Sequence, residues 1–357
     1  MTPLSHNKRC EFEDFADVEV AGTIREVFDP DGRRGPGYPC GREYRKEWEI
    51  AMALRALRHF GVLRPDSLIL GVGAGTEATI FHLTRLVKLV FATDLYVQQT
   101  EWSPHAPARM LWDAEAFAPY PYDRQRLVVQ HMDGRFLDYP DDFFDGIFSS
   151  GSIEHFGGLE DAALCAFEMG RVLKPGGVLT LSTELCVAGP SPSLHAPGLS
   201  LFSADELRRW VVEASGLEPV EDLATTLTRP LSERTRASVR PLADCIVELE
   251  AAIRAQGPTP RAAEVTWSVY PHLLLELQGH TFGSVHLTLR KSSHHPVVDN
   301  AWARPTPEIV RAKRWCPVAA PRPGIVDRVG AAVRRITGRV TDPLRRATTS
   351  QRRHRRA

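Results

Sequence analysis

The residues best suited to chemistry lie in the first half of the chain. Gly71-Val72-Gly73-Ala74-Gly75-Thr76-Glu77-Ala78 follows an apolar run. Its glycines let a backbone turn tightly and come close to a ligand. A helix starting there would turn its free N–H groups toward a phosphate or carboxylate. Asp94 closes a second apolar run 19 residues after Gly75, where a carboxylate can accept both hydroxyls of an adenosine ribose. The same loop, read as Gly73-x-Gly75-x-x-Ala78, also satisfies the dinucleotide fingerprint, and a ligand-free glycine turn is a third reading. Glu154-His155 follows a later apolar run. Histidine is the side chain most readily poised for proton transfer near neutral pH, so His155 is either a candidate base or a hydrogen-bonded scaffold residue.

These residues need a frame, and the apolar pattern supplies one. Ile50, Ala53, Leu54, Leu57 and Phe60 recur at helical spacing, predicting a helix over 43–60 that Gly61 and Pro65 end. Short strands are expected at Ser67–Val72, Leu89–Thr93, Leu127–His131, Phe144–Ser149 and Val178–Thr183, with helices at about 76–87 and 159–173. Lys174-Pro175-Gly176-Gly177 reads as a helix stop and turn. The βαβα rhythm of mostly apolar strands predicts an α/β fold, a doubly wound, mostly parallel Rossmann-like sheet. Ser203 and Glu206 form a capping box for a helix ending at Gly216. Residues 227–271 read as a helical insertion, and His272–Leu277 with Ser284–Arg290 as an antiparallel edge hairpin around a Gly279–Gly283 turn. Residues 1–42 read as an arm or lid with a hairpin, 43–291 as the main domain, and 292–357 as a Pro/Arg-rich basic tail.

The combination resembles the class I S-adenosylmethionine-dependent methyltransferases. The resemblance covers about residues 43–187 and the closing hairpin. It is carried by Leu70–Thr76, Ala92-Thr93-Asp94-Leu95, His131-Met132-Asp133-Gly134, Phe143–Ser150, Ile153-Glu154-His155-Phe156 and Arg171–Leu179. It implies that S-adenosyl-L-methionine is the cofactor. Gly71, Gly73, Ala74 and Gly75 would form the loop under its methionine part and ribose. Asp94 and Leu95 would hold the ribose, Met132, Asp133 and Gly134 the adenine, and Ser149, Ser150 and Gly151 the methyl end. The sequence departs from the family twice. The acid usual two residues before the first glycine of Gly-x-Gly is Gly71 here, and the third glycine is Glu77, which would contact the cofactor's ammonium instead. Methyl transfer mainly requires the nucleophile to be positioned and its proton removed, the role open to His155. The expected acceptor is a small molecule, a glycan or a lipid-linked precursor, methylated on oxygen or nitrogen, with the 188–200 loop and the insertion shaping its pocket. An NAD-type oxidoreductase and a non-catalytic cofactor-binding adapter remain the alternatives; no evident Tyr-x-x-x-Lys supports the first.

Other positions have plainer readings. Tyr44, Arg45 and Trp48 are either a cofactor-covering face or an ordinary helix face. Trp102-Ser103-Pro104 and Pro119–Asp123 are either substrate-lining or loop packing. His294-His295 lacks ligand-type neighbours, and no metal site is expected. The chain has 357 residues, 43% hydrophobic and 25% charged, enough for a sizeable core. It shows no apolar run of membrane-spanning length and no secretory signal. Its six scattered cysteines fit a reducing cytoplasm. The zero net charge divides into −12 over residues 1–303 and +12 over 304–357. In the tail, Val326, Val329, Val333, Ile336 and Val340 alternate with arginines. That pattern suits peripheral contact with an anionic membrane, a solvated terminus or, less well, nucleic acid; no Asn-Pro-Pro-Tyr-like motif supports the last.

Overall fold

The computed structural model describes residues 4–98, 105–256 and 270–292. The main sheet has ten strands among the described residues, three of them two-residue edge pieces (Lys8–Arg9, Glu218–Pro219 and Arg240–Pro241). The seven longer ones are β1 (Leu68–Val72), β2 (Leu89–Asp94), β3 (Leu127–His131), β4 (Phe144–Ser150), β5 (Leu173–Ala188), β6 (Leu274–Leu277) and β7 (His280–Arg290). Their order is β3-β2-β1-β4-β5-β7-β6, with Arg240–Pro241 outside β6. Of the seven only β7 runs against the rest. The expected parallel sheet with an antiparallel edge hairpin is therefore present.

Alternate residues of the short strands face opposite layers. Leu70, Val72, Ile147, Leu179 and Leu181 pack against α4 (Leu159–Val172) and against the helix that begins at Ala204 and winds as a π-helix over Leu207–Glu213. Ile69, Val90 and Phe148 pack on the other face against α2 (Arg45–His59) and α3 (Ala78–Leu83). Both faces are covered, which is why the strands read as nearly continuous apolar runs.

Four elements differ from the sequence expectation. Among its described residues the N-terminal segment has no hairpin. Val20, Ile24 and Val27 bury one side of α1 (Val18–Phe28), while Val18 is 79% exposed. Asp17 caps this helix by accepting from the amides of Glu19 and Val20. Ahead of it, Lys8–Arg9 pairs with Val285 and His286, and Asn7 Oδ1 accepts from the Thr288 amide at 2.5 Å. The segment thus continues the sheet along an edge of β7 that β6 leaves uncovered. The second difference is in β5. Phe144 pairs with Leu173 and Gly146 with Val178, so Lys174–Gly177 bulges out of a strand that β7 pairs down to Ala188. The third is the edge hairpin, whose turn is two residues, Gln278 and Gly279, both at positive φ. That geometry matches the twist of the flanking strands, so β7 starts at His280 rather than Ser284. Finally, the described part of the insertion includes the short Arg240–Pro241 strand as well as helices.

Candidate active site

In a parallel sheet the carboxyl ends of the strands share one rim, and ligands bind there where the strand order reverses. Here β1 lies between β2 and β4, which leave it in opposite directions. A cleft opens at that point. Gly73 lines it from the loop after β1, Asp94 and Leu95 from the end of β2, and Met132, Asp133, Gly134 and Arg135 from the end of β3. His155 and Phe156 close it from the segment after β4.

The glycine loop is shaped by crowding. Gly73 has φ +65°, and a Cβ there would lie 2.6 Å from that of Ser152. Ser152 Oγ donates to the Gly73 carbonyl at 2.9 Å, tying the loop to the end of β4. Gly75 has φ +45°, and a Cβ there would lie 2.5 Å from the His105 carbonyl oxygen. The amide of Gly75 donates to Asp94 Oδ2 at 2.9 Å and that of Leu95 to Oδ1 at 2.6 Å. Burial pushes the Asp94 carboxyl above its ordinary value, while those two amides and His131 pull it back. The loop and the acid, 19 residues apart in sequence, are one hydrogen-bonded unit.

At the next strand end, Asp133 is gripped by Arg135, whose Nη2 lies 2.6 Å from Oδ2 and whose Nη1 reaches Asp161 at 3.0 Å. The Met132 amide donates to the Asp94 carbonyl at 3.0 Å, fixing the two acidic corners relative to each other.

The remaining sequence candidates lie around the cleft. Gly71 sits under the ring of Phe148: a Cβ would be 2.5 Å from Cζ, so this chain has no room for an acid at that position. Ala74 is buried. Glu77 accepts from Thr79 Oγ1 at 3.3 Å, and burial, reinforced by the charge of Glu49, holds its carboxyl well above the usual range. Ser149 and Ser150 carry buried hydroxyls with no hydrogen-bond partner among the described residues. Gly151 leaves space that the Lys46 ammonium occupies.

His155 Nδ1 lies 2.8 Å from the Gly198 carbonyl oxygen, which can only accept, so the proton is on Nδ1. Its Nε2 lies 3.8 Å from Glu154 Oε1. Burial lowers the imidazole to about 4, so it is neutral at pH 7. Gly198 belongs to the turn between two short paired strands, Leu194–Ala196 and Leu199–Leu201, which brings the 188–200 loop to the rim.

Sequence reasoning did not single out Arg135, Lys46, Glu49 or Glu184. Lys46 and Glu49 stand on the first turns of α2 beside Arg45, and Glu184 on β5. One signal pointed to Glu49: it is flanked by Trp48 and Ile50 and shares their burial. Trp48 itself is core, edge-on to His286. Tyr120 and Tyr122 pack on Arg85 and Phe81, as the loop-packing reading expected. Trp102–Pro104, His294-His295 and the basic tail lie outside the described residues.

Comparison with known proteins agrees with this geometry. A family model described as a methyltransferase domain matches residues 70–181. That segment runs from the glycine loop through Asp94, Asp133 and His155 into β5. It is a methyltransferase domain of the class I, S-adenosylmethionine-dependent kind. The enzyme is accordingly a methyltransferase with S-adenosyl-L-methionine as its cofactor. No curated protein matches the sequence. Among solved structures, the [4+2]-cyclase SpnF is 17% identical, with 80% of this chain and 98% of that one covered and a TM-score of 0.44. A phosphoethanolamine N-methyltransferase 2 from Haemonchus contortus is 16% identical, with 80% and 61% covered and a score of 0.41. Likenesses this distant say nothing further about what the chain does.

Proposed function

We propose that this enzyme methylates an oxygen or nitrogen of a small-molecule, glycan or lipid-linked acceptor, and that the cleft at the β1 switch point is where it does so. The observation that carries the reading is the joining of Gly75, Asp94 and Met132 by direct hydrogen bonds at the ends of β1, β2 and β3.

The residues present fit an adenosyl group. Gly73 and Gly75 leave a cradle that side chains would fill, and Asp94 stands at its edge as a ribose acceptor. Asp133, steadied by Arg135, would accept from the adenine amino group, with Met132 against the ring. Ser149, Ser150 and Gly151 would line the methyl end. When bound, the cofactor supplies a methyl group already activated by sulfonium. The protein must then hold the acceptor in line, keep water away and provide for its proton.

His155 is the proposed proton acceptor, through the lone pair its tautomer leaves on Nε2. A specific observation favours a second role. Its bond to Gly198 and its low basicity suit a residue that seats the 188–200 loop over the acceptor site. Crystals with S-adenosylhomocysteine should place the ribose hydroxyls on Asp94 and the adenine amino group near Asp133. A ligand bound elsewhere, or reversed in the cleft, would defeat the assignment.

Among the described residues no helix is long and apolar enough to cross a membrane. We propose that the basic segment beyond 303 adds reversible contact with anionic lipid, each basic side chain contributing on the order of 1 kcal/mol near the surface. A chain ending at Ser292 should keep its cofactor affinity but lose low-salt co-sedimentation with phosphatidylglycerol vesicles. Equal sedimentation of the two chains would remove the membrane role.

A further inference from the structure

Behind the rim, where α2 crosses β4 and β5, lies a charged cluster of which the cofactor assignments above use only Glu77. Arg45 and Lys46 face Glu49 and Glu184. Lys46 Nζ is 3.0 Å from Glu49 Oε1 and 3.2 Å from Glu184 Oε1, and Arg45 pairs with both acids. Ser284 Oγ donates to Glu49, and Thr183 Oγ1 donates to Glu154 Oε2 at 2.8 Å. Glu154 is fully buried and Glu184 is 3% exposed. Glu77 lies within electrostatic reach of Glu49 and Lys46.

Acidic groups outnumber basic ones: four carboxyls, Glu49, Glu77, Glu154 and Glu184, share two cations, Arg45 and Lys46, and burial pushes Glu77 and Glu154 toward their neutral forms. His155 and His272 add none, because burial keeps both neutral. Two carboxylate oxygens, Glu154 Oε1 and Glu184 Oε2, are buried without a hydrogen-bond partner among the described residues. Buried carboxylate oxygens are normally paired, and leaving them unpaired is costly. A surplus of buried carboxyl groups with open acceptor oxygens matches a cation that carries several N–H donors, whose arrival would favour their ionised forms. The cluster borders the cleft. Lys46, its side chain 31% exposed, rests against Gly151, and the next residue, Ser152, holds Gly73.

We propose that this cluster is a receptor for a ligand's ammonium group, with Glu154 and Glu184 offering their unpartnered oxygens and Lys46 shifting to make room. The inference rests on the methyltransferase reading of the cleft. The ammonium has two chemical sources, the amino-acid end of the cofactor or an amine-bearing acceptor. Either one assigns to α2, β5 and Glu154 a task that the sterically closed position at Gly71 cannot perform.

Calorimetry on the full chain distinguishes the sources. The probes are S-adenosylhomocysteine, its deaminated analogue, and propylammonium added to protein saturated with S-adenosylhomocysteine. The variants are Glu184→Gln and Glu154→Gln; the second leaves the ion pairs of Arg45 and Lys46 in place. If the cofactor supplies the ammonium, S-adenosylhomocysteine weakens at least about tenfold in the variants, the loss expected of a charged acceptor. The deaminated analogue then binds wild type and variants alike. If the acceptor supplies it, S-adenosylhomocysteine is unaffected and the variants lose the propylammonium binding seen in wild type. Equal losses for S-adenosylhomocysteine and its deaminated analogue, or no change with any probe, would overturn the proposal. No binding of S-adenosylhomocysteine to wild type would instead overturn the methyltransferase reading, and this inference with it.

Discussion

At the scale of single residues, the site's acids differ by what holds them. Asp94 is built into the glycine loop by two amides and still faces the cleft. Asp94→Ala should weaken S-adenosylhomocysteine binding by about 1.5–3 kcal/mol, the usual loss for hydrogen bonds to a charged acceptor. An unchanged dissociation constant in a folded variant would remove the ribose role. Glu154 is different. Burial, with the charge of Glu184, raises it from 4.5 to about 7. A raised carboxyl contributes stability that is complete below its unfolded value and is lost as pH rises through the folded one. Glu154→Gln, which cannot ionise, should therefore gain on wild type between pH 4.5 and 7, by up to about 3 kcal/mol. Urea unfolding of both proteins at pH 5, 6, 7 and 8 measures this; a pH-independent difference would show that Glu154 does not titrate in that window. Asp94 and Asp133 were legible because each closes or follows within two residues an apolar run, and His155 because it lies in the short segment just past one, where a parallel sheet presents its ligand-facing ends. Lys46 and Glu184 were not. A charge within a helix or within a strand looks like a solvated side chain until the packing is known.

At the scale of elements, the strands that hold the site were legible because burial on both faces leaves a short apolar run with few rival readings. β3 has the expected bounds, and β1, β2 and β4 differ from them by one residue. The errors arose where period or pairing was ambiguous. Phe15, Val18, Val20 and Ile24 look like alternation, but the buried set is Val20, Ile24 and Val27, which has helical spacing. The length of β5 and β7 depends on their pairing with each other, which no local pattern encodes. The N-terminal segment is structurally committed through Asn7, whose buried side chain accepts from the buried Thr288 amide. Asn7→Ala should cost about 1–3 kcal/mol by leaving that buried amide unpaired, with S-adenosylhomocysteine affinity unchanged. Chemical denaturation and calorimetry on the same preparation check both halves. A stability change within error would mean that the segment merely rests on the sheet.

At the scale of the whole molecule, the charge division visible in the sequence separates the catalytic body from the terminal segment. The −12 balance lies over residues 1–303, which include the sheet and its cleft, and the +12 balance lies beyond them. The central claim concerns the body: the switch-point cleft is a site for S-adenosylmethionine. The glycine loop alone allowed a nicotinamide cofactor as well, and only its combination with the acids after β2 and β3 and the matched segment 70–181 separated the two. The most direct measurement is calorimetric titration of the full chain with S-adenosylhomocysteine and, separately, with NAD. The account predicts one-to-one binding of S-adenosylhomocysteine and no heat of binding from NAD. Saturable NAD binding with none of S-adenosylhomocysteine would contradict it.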